Sequence, residues 1–145
     1  MKKIISTTLV FGIFLFTSFF FGQEMSKEQR KAFQTDNIDV FKAAFSKADY
    51  NKCFSIKEES YTLLSFSVKH NRKNVFNYLL ANHAEVNKAC NNQTPLMIAG
   101  MYGNADMAKT LLKKGADKNA KNGNGETAKD FSVKYKQAAL TAILK

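Results

Sequence analysis

The chain has 145 residues, a formal net charge of +10 and a hydrophobic content of 45%. This length fits one ordinary domain, or a small domain that follows a targeting segment. Two Cys are too few for a disulfide-dense miniprotein or an all-cysteine zinc site, and seven Gly with one Pro are too few for a collagen-like chain.

The first 22 residues have the layout of a secretory signal peptide. Lys2 and Lys3 form a short basic start, an uncharged and phenylalanine-rich stretch follows, and Gly22 is a small residue near the expected cleavage point. The pattern is typical of a bacterial export signal. We expect cleavage after Gly22 and a periplasmic or secreted mature chain, residues 23–145, whose formal charge falls to +8 without the two lysines.

The alternative to cleavage is a membrane anchor. Residues 4–21 are uncharged, and a stretch of this length is at the lower limit for a helix that spans a bilayer. In that case the rest of the chain would be a tethered domain. Either outcome removes the protein from the compartment of nucleic acid, so we expect no nucleic-acid partner despite the positive charge.

After residue 22 the sequence repeats with a period of 32 to 33 residues. Thr62, Thr94 and Thr127 recur at this interval, and the pair Leu79-Leu80 recurs as Leu111-Leu112. A fixed period of this size indicates stacked supersecondary units, none of which buries its apolar face alone. The predicted units are residues 26–58, 59–91, 92–124 and a C-terminal cap at 125–145.

The first unit departs most from the period. Ser26 and Gln29 have the spacing of a capping box, which predicts a helix start. Alignment with the second unit requires a shift of 35 residues at Val40 but of 32 residues at Phe54. We therefore expect about three extra residues near 48–52, and an atypical N-terminal repeat.

The third unit is the most regular. Thr94 and Pro95 suit the start of a first helix, which Gly103 ends. A second helix is expected at 105–114, with Gly115 as its left-handed C-terminal residue, and an exposed turn rich in Asn and Gly follows. The last unit repeats this pattern in shortened form, with Thr127 and Asp130 in a capping-box arrangement and a final helix at 137–144.

These segments resemble the ankyrin repeat. The sequence TPLMIAGMYG at 94–103 and LLKKGADKNA at 111–120 follow the family pattern T-P-L-H-x-A-A-x-x-G and L-L-x-x-G-A-D-x-N. Met97 stands where the family has His, and Gly100 stands where it has the second Ala. The resemblance covers nearly all of 26–145. It implies an all-α ankyrin-repeat solenoid of about four stacked helix-turn-helix repeats with protruding loops.

The resemblance also implies a binding surface. In ankyrin proteins the loop tips and the exposed end of each first helix line one concave face. By this correspondence His70, Tyr102 and Tyr135 should form a stripe across three repeats, flanked by Lys69, Met101 and Lys134. Exposed aromatic side chains bordered by polar groups are typical binding anchors. The full set of groove and loop candidates is Tyr61, Lys69, His70, Asn92, Gln93, Met101, Tyr102, Asn124, Glu126, Lys134 and Tyr135.

The residues that could carry chemistry do not form a recognisable site. His70 and His83 are 13 residues apart, the carboxylates occur singly, and no nucleotide-binding or hydrolase motif is present. We expect no catalysis, no cofactor and no metal. Cys53 and Cys90 fall at different places in neighbouring repeats, so we expect free thiols, with a disulfide as the alternative.

These observations together predict a monomeric, non-catalytic protein-binding module. The lysines of the third unit and the cap are expected to keep the chain soluble, and an acidic partner is the functional alternative. Two further roles stay open. One is a membrane-tethered domain, and the other is an accessory or immunity-type protein in envelope stress or toxin neutralisation.

Overall fold

The computed structural model describes residues 23–145, and the predicted signal peptide lies outside this range. The described chain contains eight α-helices, one short 3-10 helix at Lys47–Asp49 and three short strands. The helices are α1 Lys27–Thr35, α2 Ile38–Ala44, α3 Leu63–Lys69, α4 Lys73–Ala81, α5 Pro95–Tyr102, α6 Ala105–Lys113, α7 Ala128–Lys134 and α8 Ala138–Ile143. The strands are β1 Gln23–Glu24, β2 Phe54–Ile56 and β3 Glu59–Tyr61. Among residues 23–145, no helix is both long and apolar enough to cross a membrane.

The helices form two rows, as expected for a solenoid of helix pairs. In the first row α3 packs on α5 and α5 packs on α7, while Phe33 of α1 reaches Phe66 of α3 at a ring-centroid distance of 4.9 Å. In the second row α2 contacts α4, and α6 contacts α8. Each first-row helix also packs against the second-row helix that follows it in the chain. The all-α solenoid predicted from the repeat is therefore confirmed.

The repeating threonines are the helix caps of the first row. The side chains of Thr62, Thr94 and Thr127 accept backbone N–H bonds at the starts of α3, α5 and α7. Pro95 occupies the first turn of α5, where its missing N–H would have had no partner inside the helix. The sequence period is thus the period at which first-row helices begin.

Left-handed residues end several helices. Gly103 follows α5 with φ of 74°, and Gly115 follows α6 with φ of 91°. His83 takes the same conformation after α4, with φ of 63°, which confirms that it replaces a helix-ending glycine. Asn71 does likewise after α3, with φ of 52°. Asn and His tolerate this region better than branched residues do.

The core changes character along the array. At the N-terminal end it is aromatic, because Phe33 packs edge-on against both Phe41 and Phe45. Toward the C-terminus it becomes aliphatic, with Leu96, Ile98 and Leu111 among the fully buried side chains. Phe66, Phe76 and Leu79 are buried, as predicted. One hydrophobic cluster runs from Met25 to Leu144, so the units stabilise one another.

Gly100 is required by the close approach of α5 and α7. A Cβ atom at this position would lie 2.5 Å from the backbone oxygen of Ala128 and 3.2 Å from the Cβ of Phe131. These distances are shorter than van der Waals contact. The glycine that replaces the second Ala of the repeat pattern therefore allows α7 to pack more closely.

The first loop contains the predicted extra residues. Asn51 Oδ1 accepts the Glu85 N–H at 2.8 Å, and Asn87 Oδ1 accepts the Asp117 N–H at 2.8 Å, so both asparagines join one loop to the next. The asparagines are 36 residues apart, whereas the two amides are 32 apart. The difference arises where the 3-10 helix lies. A small sheet in the order β1-β2-β3 follows, in which β1 is parallel and β3 antiparallel to β2.

The two cysteines form a disulfide, which contradicts the expectation of free thiols. Cys53 and Cys90 are bonded, with a Cα–Cα distance of 5.7 Å. The expectation used the spacing of stacked helices, about 8–10 Å. Loops come closer than helices here: Cys53 immediately precedes β2, and Cys90 lies at the base of the next loop, where it pairs with Gln93. The Asn51–Glu85 contact holds the same two loops together.

Candidate functional site

The predicted stripe maps to one end of the first-row helices. His70 is the C-cap of α3, Tyr102 is the last residue of α5 and Tyr135 is the C-cap of α7. Because these three helices are consecutive neighbours, the structure brings the three positions to the same end of the row. Tyr102 is 42% exposed and Tyr135 is 45% exposed, and both are large side chains. Their role in binding stays a prediction.

Tyr61 requires a correction, because it is buried and offers no contact surface. Only 3% of the residue is exposed, and its ring lies 5.8 Å from that of Phe66. The side chain at the end of β3 turns toward the core, which repeat alignment could not reveal. Its hydroxyl donates a hydrogen bond to the carboxylate of Glu59, so Tyr61 supports the surface from below.

Lys69 links this buried tyrosine to the stripe. Its ammonium group donates to Glu59 Oε2 at 2.8 Å and to the Tyr61 hydroxyl oxygen at 2.6 Å. It also lies 4.5 Å from the centroid of the Tyr61 ring and 5.6 Å from that of Tyr102, within cation–π distance. Lys69 therefore connects the second unit to the exposed aromatic residue of the third.

The electrostatics of this cluster keep the lysine charged. Burial alone would disfavour the ammonium, but hydrogen bonds to Glu59 and Tyr61 outweigh it and raise the pKa of Lys69 above its ordinary value. The hydrogen bond from Lys69, followed by that from Tyr61, lowers the pKa of Glu59. Burial and the bond to Glu59 raise the pKa of Tyr61. At neutral pH the cluster is an ion pair with a neutral phenol.

A similar arrangement occurs in the last unit. Lys134 Nζ lies 3.2 Å from Glu126 Oε1 and 5.9 Å from the centroid of the Phe131 ring, on which Tyr135 stacks at 6.4 Å. Asn122 donates to the other oxygen of Glu126 at 2.9 Å. The hydrogen bond from Asn122, followed by that from Lys134, lowers the pKa of Glu126. A lysine–glutamate pair thus flanks the stripe in the second and the last unit.

The middle unit differs, because it carries Gln93 and Met101 where the last unit carries the ion pair. Met101 is half-buried beside Tyr102, and its carbonyl oxygen accepts the Gln137 amide at 3.4 Å. Gln93 exchanges backbone hydrogen bonds with Cys90. The surface is therefore uncharged in its centre and charged on both sides, an arrangement typical of protein-binding patches.

Comparison with known proteins agrees with this architecture. A family model described as ankyrin repeats, in three copies, matches residues 30–122.

The chain belongs to the ankyrin repeat family.

No curated protein gave a significant match to the sequence. Ankyrin repeats are generally protein–protein interaction modules, and the family is typically non-catalytic. The matched region contains His70 and Tyr102 but ends before Tyr135. The structure continues the array beyond it, because α7 packs on α5 as α5 packs on α3.

The loop candidates lie at exposed tips of the ankyrin array. Asn92 is exposed and left-handed, with φ of 59°, and follows the left-handed Asn91. Asn124 is exposed, and its N–H donates to Asn122 Oδ1 at 3.0 Å. Asn122 therefore orders this tip and also holds Glu126. Sequence reasoning missed Asn122 and Glu59, which act through neighbours that only the folded loops bring together.

Within residues 23–145, no three side chains among His, Cys, Asp and Glu lie close enough to hold a metal ion. His70 and His83 lie at the ends of α3 and α4. Several carboxylates have local structural roles, such as Asp130, whose side chain accepts the Thr127 backbone N–H at 2.7 Å. The arrangement suits binding by surface contact.

Proposed function

We propose that this ankyrin domain is an exported, non-catalytic protein that binds one partner protein through the stripe. The observation that carries the proposal is the pair of exposed tyrosines, Tyr102 and Tyr135, at equivalent ends of adjacent helices. Tyrosine buries a large area on binding while its hydroxyl remains able to form a hydrogen bond. An array of so few repeats presents a modest surface, which favours a single specific partner.

The contacts beneath the tyrosines support this proposal. Lys69 lies close to the ring of Tyr102, and Phe131 stacks with Tyr135. Side chains that are already held lose less conformational entropy when a partner binds, which favours affinity. The uncharged Met101 beside Tyr102 gives the centre an apolar character, and the flanking ion pairs form a polar rim.

The disulfide supports export. Disulfide bonds persist in oxidising compartments such as the bacterial periplasm, and are rare where cellular thiols are kept reduced. A Cys53–Cys90 bond therefore fits the predicted signal peptide. N-terminal sequencing of the native protein tests this part of the proposal: we expect a first residue of Gln23, whereas a start at Met1 would favour the membrane-anchored alternative.

Partner capture tests the binding surface. Immobilised mature protein should retain a specific protein from periplasmic extract, and mass spectrometry would identify it. The double variant Tyr102→Ala/Tyr135→Ala should bind that purified partner at least about tenfold more weakly, since each tyrosine at a binding centre contributes 1 kcal/mol or more. The control is Val40→Ala, which truncates a side chain that is 43% exposed on the second-row helix α2.

The control separates a local effect from a general loss of exposed apolar area. Unchanged capture by the tyrosine variant would reject the stripe as the binding surface. Equal losses in the tyrosine variant and in Val40→Ala would reject it as well, because the effect would then not be specific to that surface.

A further inference from the structure

A groove runs beside the stripe at the N-terminal end of the array. Its first part is a cleft of about 160 Å³ between α1 and α3. The residues that line this cleft are Arg30, Phe33, Gln34, Phe66, His70 and Arg72, and none of them has a carboxylate. A cleft with two guanidinium groups and no acidic residue has an excess of positive charge.

The two arginines have no acidic partner at ion-pair distance. The three ion pairs within residues 23–145 use Lys52, Lys69 and Lys134, so neither arginine takes part in them. Arg30 Nη1 donates to the Met25 carbonyl oxygen at 2.8 Å, which orients the guanidinium and leaves its charge uncompensated. Arg72 lies at the N-cap position of α4.

Glu28 is the acidic residue nearest to Arg30 in sequence, and its carboxylate is already engaged. Backbone hydrogen bonding, a hydrogen bond with Ser26 and, least of all, the charge of Arg30 lower the pKa of Glu28. Its carboxylate accepts the Ser26 hydroxyl at 3.1 Å at the start of α1. Glu28 is not among the residues that line the cleft.

His70 reports the positive potential inside the cleft. Its ring lies edge-on against Phe66, with centroids 4.4 Å apart. Partial desolvation, followed by the charges of Lys69 and Arg72, lowers the pKa of His70. The surroundings thus disfavour a further positive charge and would favour a negative one.

The groove continues toward the β2–β3 hairpin through a wider opening of about 630 Å³. Phe66 and His70 line both parts, so the two parts adjoin. The second part has Ile56 and Phe66 as apolar residues, and Lys57, Lys69, Glu58 and Glu59 as charged ones. Glu59 is paired with Lys69. The groove therefore passes from a cationic end to one with an apolar floor.

We propose that this groove binds an extended acidic segment of the partner protein. A carboxylate of the segment would lie between Arg30 and Arg72, and an apolar side chain next to it would pack against Ile56 and Phe66. Guanidinium groups bind carboxylates through paired charge-assisted hydrogen bonds, and the +8 charge of the chain after residue 22 would attract such a segment. The proposal rests on the proposed function and names the chemistry of its partner.

A labelled peptide tests the groove directly. The probe is fluorescein-labelled Glu-Glu-Leu-Glu-Glu, and its counterpart carries Gln in place of each Glu. Fluorescence anisotropy should show binding of the acidic peptide that weakens with added salt, and the glutamine peptide should bind at least about tenfold more weakly. Arg30→Gln/Arg72→Gln should reduce the affinity for the acidic peptide by a similar factor.

The matched control removes the same charge elsewhere. Lys109→Gln/Lys113→Gln removes two exposed positive charges from the second-row helix α6 and should change the affinity less than about threefold. Equal losses in the two double variants would overturn the groove, since attraction to the overall charge would then explain the binding. Circular dichroism would verify that both variants fold.

An NMR titration provides a second readout. A carboxylate between the arginines should raise the pKa of His70 when the acidic peptide is bound, and His83 at the end of α4 serves as an internal control. A His70 pKa that is unchanged at saturating peptide would overturn the proposed position of the carboxylate.

The same variants separate this inference from the proposed function. If the arginine double variant retains full affinity for the captured partner while the tyrosine double variant loses it, the groove is wrong and the stripe stands. If the arginine variant loses affinity and the tyrosine variant does not, the groove stands and the proposed role of the stripe is wrong.

Discussion

Removal of the Cys53–Cys90 disulfide should have the largest effect on stability of any change that leaves the core intact. The bond joins residues 37 positions apart in the chain. In the chain-entropy treatment, a closed loop of this length restricts the unfolded state by about 4 kcal/mol. A domain of this size typically unfolds with only about 5–15 kcal/mol. Cys53→Ala/Cys90→Ala should therefore lower the urea midpoint markedly.

The native contacts around the bond limit its effect on the folded state. Asn51 and Glu85 join the same two loops without it, and Gln93 pairs with Cys90 through the backbone. We therefore expect the folded structure to persist after reduction, with near-native circular dichroism. The loss of stability should come mainly from the greater freedom of the unfolded chain.

Urea denaturation with and without dithiothreitol measures the effect. The reductant should destabilise the wild-type protein by about 4 kcal/mol and leave the double-alanine variant unchanged. Because neighbouring repeats stabilise one another, hydrogen exchange should then show the first losses of protection in α1 to α4, on the two units that the bond connects. Agreement of oxidised and reduced wild-type stabilities to within about 0.5 kcal/mol would refute the reasoning.

Three smaller perturbations test the packing and the charge cluster by urea denaturation. Gly100→Ala should cost about 2 kcal/mol because its Cβ would overlap the α7 backbone, whereas Gly123→Ala, which meets only ordinary contacts, should change stability by less than about 0.5 kcal/mol. Asn87→Ala removes the hydrogen bonds between successive loops and should cost about 1 kcal/mol; no measurable loss would contradict that role. Glu59→Gln should cost less than about 1 kcal/mol at neutral pH, since the pair with Lys69 is partly exposed. The pKa of Glu59 is lower in the folded protein, so this advantage is present above the unfolded pKa and should disappear as the pH falls through the folded value; a difference that persists at the acid end would contradict the assignment.

The features of the fold that sequence alone predicts are the local ones. Thr94 caps a helix because its own side chain reaches an amide three residues later, and Pro95 suits the first turn in any context. The left-handed residue His83 follows from its place in the period. Each of these features depends on a few consecutive residues, so the repeat reveals them without knowledge of the tertiary structure.

The disulfide could not be predicted in this way because it depends on how the loops of different units meet. The first loop contains extra residues, a 3-10 helix and the start of a hairpin, and none of these belongs to the regular repeat. An estimate from the distance between helices therefore placed Cys53 and Cys90 too far apart. The error concerns tertiary geometry where the period fails.

The candidate surface shows the same division. The exposed ends of α5 and α7 follow from the helical register, so Tyr102 and Tyr135 could be identified from their positions in the repeat. The burial of Tyr61 depends on β3, which the repeat pattern does not predict. Arg30 and Arg72 belong to different units, and only packing of α1 near α3 places them on one cleft.

The central claim is that a partner protein binds the first-row helix ends. The most direct measurement is an NMR footprint of the captured partner on the isotope-labelled mature protein. We expect the largest chemical-shift changes at residues 69–70, 101–102 and 134–135, with small changes on α2, α4 and α6. A footprint centred on those second-row helices, with the two exposed tyrosines unperturbed, would contradict the account.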